Sequence, residues 1–160
     1  GKYPVQTVEA MSKICREAEK QRKVLKSHHR LNSVFGRIDE AIAMAAMYTA
    51  NHLNVAAIAA WTETGYTPMW MSRISSGIPI YALTSHVATR RKVTLFRGVY
   101  PVSFDISSSD NQDINKAIVS EMLQRGAVRN GDLIIITKGD TNGVMGGTNV
   151  MKILRVGEHC

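Results

Sequence analysis

Two polar segments carry the residue types that could hold an anion. The first is Thr62-Glu63-Thr64-Gly65-Tyr66-Thr67-Pro68, directly after the apolar run Val55-Ala56-Ala57-Ile58-Ala59-Ala60-Trp61. Thr67 reads as a helix N-cap and Pro68 as the first helical residue, where its missing N–H leaves nothing unpaired. Gly65 opens backbone conformations closed to other residues. Hydroxyls beside the N–H groups at a helix start suit a phosphate, and the helix dipole adds to the attraction. The same residues also describe an ordinary capped strand-to-helix turn, and the charge of Glu63 opposes an anion unless its carboxylate points away. The second segment is Lys138-Gly139-Asp140-Thr141-Asn142-Gly143-Val144-Met145-Gly146-Gly147-Thr148-Asn149. Hairpin loops need only about two to five residues, so a connection of this length reads as a binding loop or a plain surface hairpin. Gly139, Gly143, Gly146 and Gly147 would let backbone N–H groups wrap a ligand, although the spacing matches neither a dinucleotide fingerprint nor a Walker loop.

Catalytic constellations are missing from the sequence. His28, His29, His52, His86 and His159 have no metal-ligand spacing, there is no nucleophile elbow, and the acidic residues are scattered. Cys15 and Cys160 lie near opposite ends without a paired motif, which reads as free thiols in a reducing compartment. No metal site is expected.

The elements that must position these segments follow from periodicity. Residues 5–23 place Val5, Val8, Met11 and Cys15 at helical spacing, a thin amphipathic stripe that needs a second body to pack on. Residues 26–35 read as a basic linker, and Ile38, Ala41, Ile42, Ala45, Ala46, Thr49 and Leu53 as a longer, Ala-rich helix. Residues 55–61 form an unbroken apolar run, as expected of a strand buried on both faces of a parallel sheet. The beat then repeats: helix 68–75, strand 78–83, helix 85–91, strand pieces 93–96 and 99–104, helix 113–125, strand 133–137. The last strand, 150–156, follows its predecessor without a helix and alternates apolar with basic residues, so it is expected to be antiparallel and near an edge. The fold class is α/β: a three-layer α/β/α sandwich with a mostly parallel sheet and an antiparallel C-terminal strand. Ligands in such sheets bind outside the carboxyl ends of the strands, where both polar segments sit.

Of the 160 residues, 44% are hydrophobic and 21% charged, ordinary for a globular domain. The net charge of +7 raises nucleic acid as a partner, since Arg16, Lys20, Arg22, Lys23, Lys26, Arg30 and Arg37 cluster with only Glu17 and Glu19 against them. That stretch holds neither Trp nor Tyr for base stacking, which favours a solvated helix face and linker. No apolar run reaches the roughly 18 residues of a membrane span, so no membrane partner is expected.

Several stretches together resemble the carboxy-terminal part of pyruvate kinase. They are residues 1–11, opening Gly1-Lys2-Tyr3-Pro4-Val5; Ala59-Ala60-Trp61-Thr62-Glu63-Thr64-Gly65; Ser72-Arg73 through Pro79-Ile80; Arg97-Gly98-Val99-Tyr100-Pro101; and Gly131-Asp132-Leu133 through Gly147-Thr148-Asn149. The resemblance implies that residues 1–25 are the last helix of a (β/α)8 barrel absent from this chain and that 26–160 form the C-terminal α/β domain. It implies a cytoplasmic glycolytic enzyme that transfers phosphate from phosphoenolpyruvate to ADP. Magnesium and potassium would serve the full-length protein in its barrel region, leaving this fragment regulatory, without cofactor and catalytically inert. In the family an effector's phosphate lies on the turn that matches Thr62, Glu63, Thr64, Gly65, Tyr66 and Thr67. A covering loop matches Lys138, Gly139, Asp140, Gly143, Gly146, Gly147 and Thr148. Family members often carry Arg where Tyr66 stands and Ser where Thr64 stands, and forms activated by a bisphosphate have a basic or neutral residue at Glu63. The implied effector is therefore a sugar monophosphate or a nucleotide monophosphate such as AMP. A homo-oligomer is implied as well, a tetramer for the full enzyme and a dimer of this fragment through its last strand. The alternatives are a stand-alone phosphate-binding module and a basic nucleic-acid binder.

Overall fold

The structure, a computed structural model of the chain, describes residues 1–21, 34–74, 76–105, 114–139 and 147–158. Its elements run α1 (Pro4–Gln21), α2 (Ile38–His52), β1 (Ala57–Trp61), α3 (Tyr66–Ser72), β2 (Ile80–Thr84), α4 (Val87–Val93), β3 (Val99–Ser103), α5 (Ile114–Gln124), β4 (Leu133–Gly139) and β5 (Thr148–Arg155). The five strands form one sheet in the order β3-β2-β1-β4-β5. β1 is parallel to β2 and β4, β2 is parallel to β3, and β5 alone is antiparallel, paired with β4 at the sheet edge.

The unbroken apolar run becomes β1, the central strand, because both of its faces are covered. Ile58 and Ala60 join Ile80, Ala82, Val99 and Ile135 beneath α2, α3 and α4, where Met47, Met71 and Val93 are fully buried. Ala57 and Ala59 face the other way with Leu83, Val102, Ile134 and Ile136, covered by Ile118, Val119 and Met122 of α5. Alternate residues of one strand thus serve two cores, as the period of two requires. Ala43, Ala46 and Ala50 on the buried side of α2 bring that helix close to the strands. Each fully buried large apolar side chain contributes about 1.5–3 kcal/mol relative to exposure.

Three expectations change. Residues 93–96 are not a strand: Val93 closes α4, the Thr94 hydroxyl donates to the Arg91 carbonyl at 2.7 Å, and Leu95 lies 85% exposed. The alternation of Val93, Thr94, Leu95 and Phe96 is a helix end followed by a turn, two patterns that a four-residue window cannot separate. The helix expected at 68–75 starts at Tyr66, and that expected at 85–91 runs two residues later. α1 carries its apolar stripe in solvent, with Tyr3, Val5, Val8, Met11 and Ile14 all at least 60% exposed. Most of the expected basic linker lies outside the described residues. Among those described, no helix is long and apolar enough to cross a membrane.

The two sheet edges differ. On either side of β3, the Gly98 carbonyl accepts the Ile80 N–H and the Phe104 N–H donates to the Thr84 carbonyl, so the odd-numbered residues between them turn outward and Pro101 faces solvent where an N–H would otherwise stand. In β5, the Val156 N–H donates to Asp132 at 2.9 Å, which aligns the even-numbered residues with β4. The N–H and C=O of Ile153 therefore point away from the sheet.

Candidate functional site

The turn after β1 is set by hydrogen bonds that begin before the helix does. The Thr62 N–H extends the β1–β2 ladder by donating to the Leu83 carbonyl at 2.9 Å, and the Thr62 hydroxyl accepts the Gly65 N–H at 2.9 Å. The chain is thereby folded back on itself within three residues, and Gly65 takes φ 78°. A Cβ there would lie 2.9 Å from Val93 Cγ1 and 3.4 Å from Thr89 Cγ2, so both the dihedral and the close approach of α4 demand glycine.

Gly65, not Thr67, is the N-cap of α3, and no side chain caps it among the described residues. The left-handed glycine starts the helix early, which leaves Thr67 and Pro68 inside the first turn, where missing or unpaired N–H groups are still tolerated. Thr67 uses its hydroxyl differently: its Oγ1 lies 2.8 Å from Thr148 Oγ1 at the head of β5, and both residues are buried. With seven residues, α3 also sums few peptide dipoles, so the attraction for an anion falls to local amides, hydroxyls and cations.

The charged groups around the turn come largely from α4. The Glu63 carboxylate pairs with His86 Nε2 at the start of that helix, which draws it aside from the turn. The Glu63 carbonyl accepts the Thr89 hydroxyl at 2.6 Å, and the Thr64 carbonyl accepts Lys92 Nζ at 3.2 Å. Tyr66, 39% exposed, has Lys92 Nζ 4.7 Å and Arg37 Cζ 5.5 Å from its ring centroid. Arg37 is held in turn by a two-pronged contact to buried Asp39, at 2.9 and 2.8 Å, and that hydrogen bonding together with the Asp39 charge raises its pKa.

The second segment meets the first through the β4–β5 hairpin. Lys138 and Gly139 end β4 across an irregularity in register, and Gly139 pairs with Thr148. That register carries Thr148 to Thr67 and places Gly147 beside it. Asp140, Gly143 and Gly146 lie outside the described residues. Thr137, two residues beyond Ile135 on the face toward α3, is fully buried, and its hydroxyl has no partner among the described residues. Threonines 62, 67, 137 and 148 therefore gather at the carboxyl end of the sheet. The sequence reading missed Arg37, His86, Thr89 and Lys92; the signal available for the last was the Arg90-Arg91-Lys92 run, which shows charge but not its target.

The Thr67–Thr148 contact is a buried hydroxyl pair, so removing one member strands the other. Thr67→Val or Thr148→Val alone is expected to lower stability by about 1–3 kcal/mol, and the double variant by less than the sum. Urea unfolding of the four proteins checks this; strict additivity would show that the two hydroxyls are not coupled.

Among the described residues no group of three His, Cys, Asp or Glu side chains could hold a metal ion. The family model for the pyruvate kinase alpha/beta domain matches residues 40–154. Over 98% of its length the chain is 45% identical to a pyruvate kinase of Buchnera aphidicola subsp. Baizongia pistaciae, covering 33% of that protein. It is 45% identical to pyruvate kinase II of Salmonella typhimurium and 41% identical to a pyruvate kinase of Haemophilus influenzae, covering 32% of each. The chain thus spans about a third of the length of the curated relatives it matches. On the matched domain and on these identities, it belongs to the pyruvate kinase family and carries that family's C-terminal α/β domain.

Proposed function

We propose that this chain is the regulatory and assembly domain of a pyruvate kinase, and that a small phosphorylated effector binds between the Thr62–Thr67 turn and the segment that follows Lys138. The enzyme of which it would be part moves phosphate from phosphoenolpyruvate to ADP in glycolysis, in the cytoplasm, with magnesium and potassium held in the barrel region. Residues 1–25 would complete that barrel. The observation that carries the effector reading is the Thr67–Thr148 hydroxyl bond, which joins two segments 81 residues apart at the carboxyl end of the sheet. The pairing of Glu63 with His86 supports it, because the one acidic side chain of the turn is already engaged. Arg37 is committed to Asp39, so the charge available suits one phosphate, as in a sugar monophosphate or a nucleotide monophosphate, better than two. Assembly would use β5 and the helices beside it, giving a dimer of this chain and a tetramer of the whole enzyme.

Calorimetry with ribose 5-phosphate, glucose 6-phosphate and AMP tests the effector reading. The wild-type chain should bind at least one of them, and Thr64→Glu should abolish that binding while sparing the fold. A like charge about 4 Å from the phosphate costs roughly 1–4 kcal/mol between water-like and protein-surface dielectric, a loss of about 5- to 800-fold in affinity. Silence across the panel, or an unchanged affinity in Thr64→Glu, overturns the site.

A further inference from the structure

The charged side chains that contact the turn are unequally occupied. Glu63 faces His86, and Arg37, which meets the turn at the Tyr66 ring, is forked onto buried Asp39. Lys92 differs from both: its Nζ donates to the neutral Thr64 carbonyl at 3.2 Å and hovers 4.7 Å from the Tyr66 centroid. α4 holds its stem in place. Thr89, one turn earlier, is bonded to the Glu63 carbonyl at 2.6 Å, and Val93, the next residue, is fully buried against Gly65.

A lysine in this position can change partners at little expense. Its present bond is to a neutral oxygen, in solvent, and an ammonium–phosphate bond is the shorter and stronger kind. A phosphate held on the Thr62–Thr67 turn would lie close to that stem, because Lys92 already touches Thr64 and Tyr66. Resting on the effector reading above, we infer that Lys92 is the cation that recognises the effector's phosphate, leaving Thr64 to do so and lending α4 to the site. The Tyr66 ring then guides the ammonium, since its face attracts a cation that has left a carbonyl.

The experiment is a phosphorus NMR titration of the chain with inorganic phosphate and with ribose 5-phosphate, repeated on Lys92→Gln, Lys92→Arg and Arg91→Gln. Arg91 precedes Lys92 on α4 but projects about 100° away around the helix, so it controls for the loss of one positive charge. Lys92→Gln should weaken both ligands at least tenfold, Lys92→Arg should recover most of that loss, and Arg91→Gln should match the wild type within about twofold. Equal weakening by Lys92→Gln and Arg91→Gln would reduce the effect to net charge and overturn the assignment. Binding to the wild type that persists undiminished in Lys92→Gln overturns the role of Lys92 and leaves the effector site standing. No binding of either ligand to the wild type removes both.

Discussion

Gly65→Ala is expected to destabilise the chain by about 2–5 kcal/mol. Two penalties combine. An L-residue forced into the left-handed region loses roughly 1–2 kcal/mol. The new Cβ would also stand 2.9 Å from Val93 Cγ1, and Val93 is fully buried, which adds the roughly 1–3 kcal/mol of an overpacked site. Gly98→Ala separates the two: Gly98 has φ 69° but nothing within 4 Å of its Cβ position, so that variant should lose only the dihedral part. Denaturant unfolding of both variants is the measurement. Equal losses would mean that α4 yields to the methyl group and that its contact with the turn is soft. A soft contact would also weaken the case that α4 contributes to ligand binding.

The second expectation concerns assembly: at micromolar concentration the chain should sediment as a dimer, and Ile153→Pro should return it to a 17.7 kDa monomer. The reasoning rests on direction. Ile153 lies on the edge strand, 41% exposed, with its N–H and C=O facing away from β4. Proline at that position therefore spares the β4–β5 ladder and removes one donor from the free edge. Loss of fold would instead report that the N–H faces inward, so circular dichroism must accompany sedimentation. A monomer in the wild type, or a dimer indifferent to the substitution, sends the interface elsewhere. A twofold pairing of β5 with its own copy would place the same residues opposite each other on both sides, as closed dimers require.

Much of the architecture was legible because burial on both faces leaves a strong mark. The Val55–Trp61 run and the Leu133–Thr137 run read as interior strands, and the alternating, basic final strand was distinguishable from them for the same reason. The turn was legible as a place, since Gly65 and three threonines follow a buried strand, but not as a geometry. Whether a glycine sits before the helix or is its left-handed cap depends on what packs against it, and Val93 is 28 residues away. The same distance hid His86 and Lys92: neither has a local pattern that tells a solvated helix charge from one aimed at a neighbouring turn. Thr67 was read as the helix N-cap, a position that Gly65 takes, because its actual partner, Thr148, is brought to it only by the register of β4 with β5.

Pro101 sets a limit on what this sheet can build. A domain with two receptive edges behaves as a bifunctional monomer, each addition exposing a fresh edge for the next, and such chemistry runs on to filaments. Here one end of the sheet offers an imide nitrogen with no proton to share, so a strand added beside β3 would find one donor fewer than a strand added beside β5. Strand addition is thereby disfavoured at the β3 edge, and an assembly larger than the expected pair would draw on other surfaces.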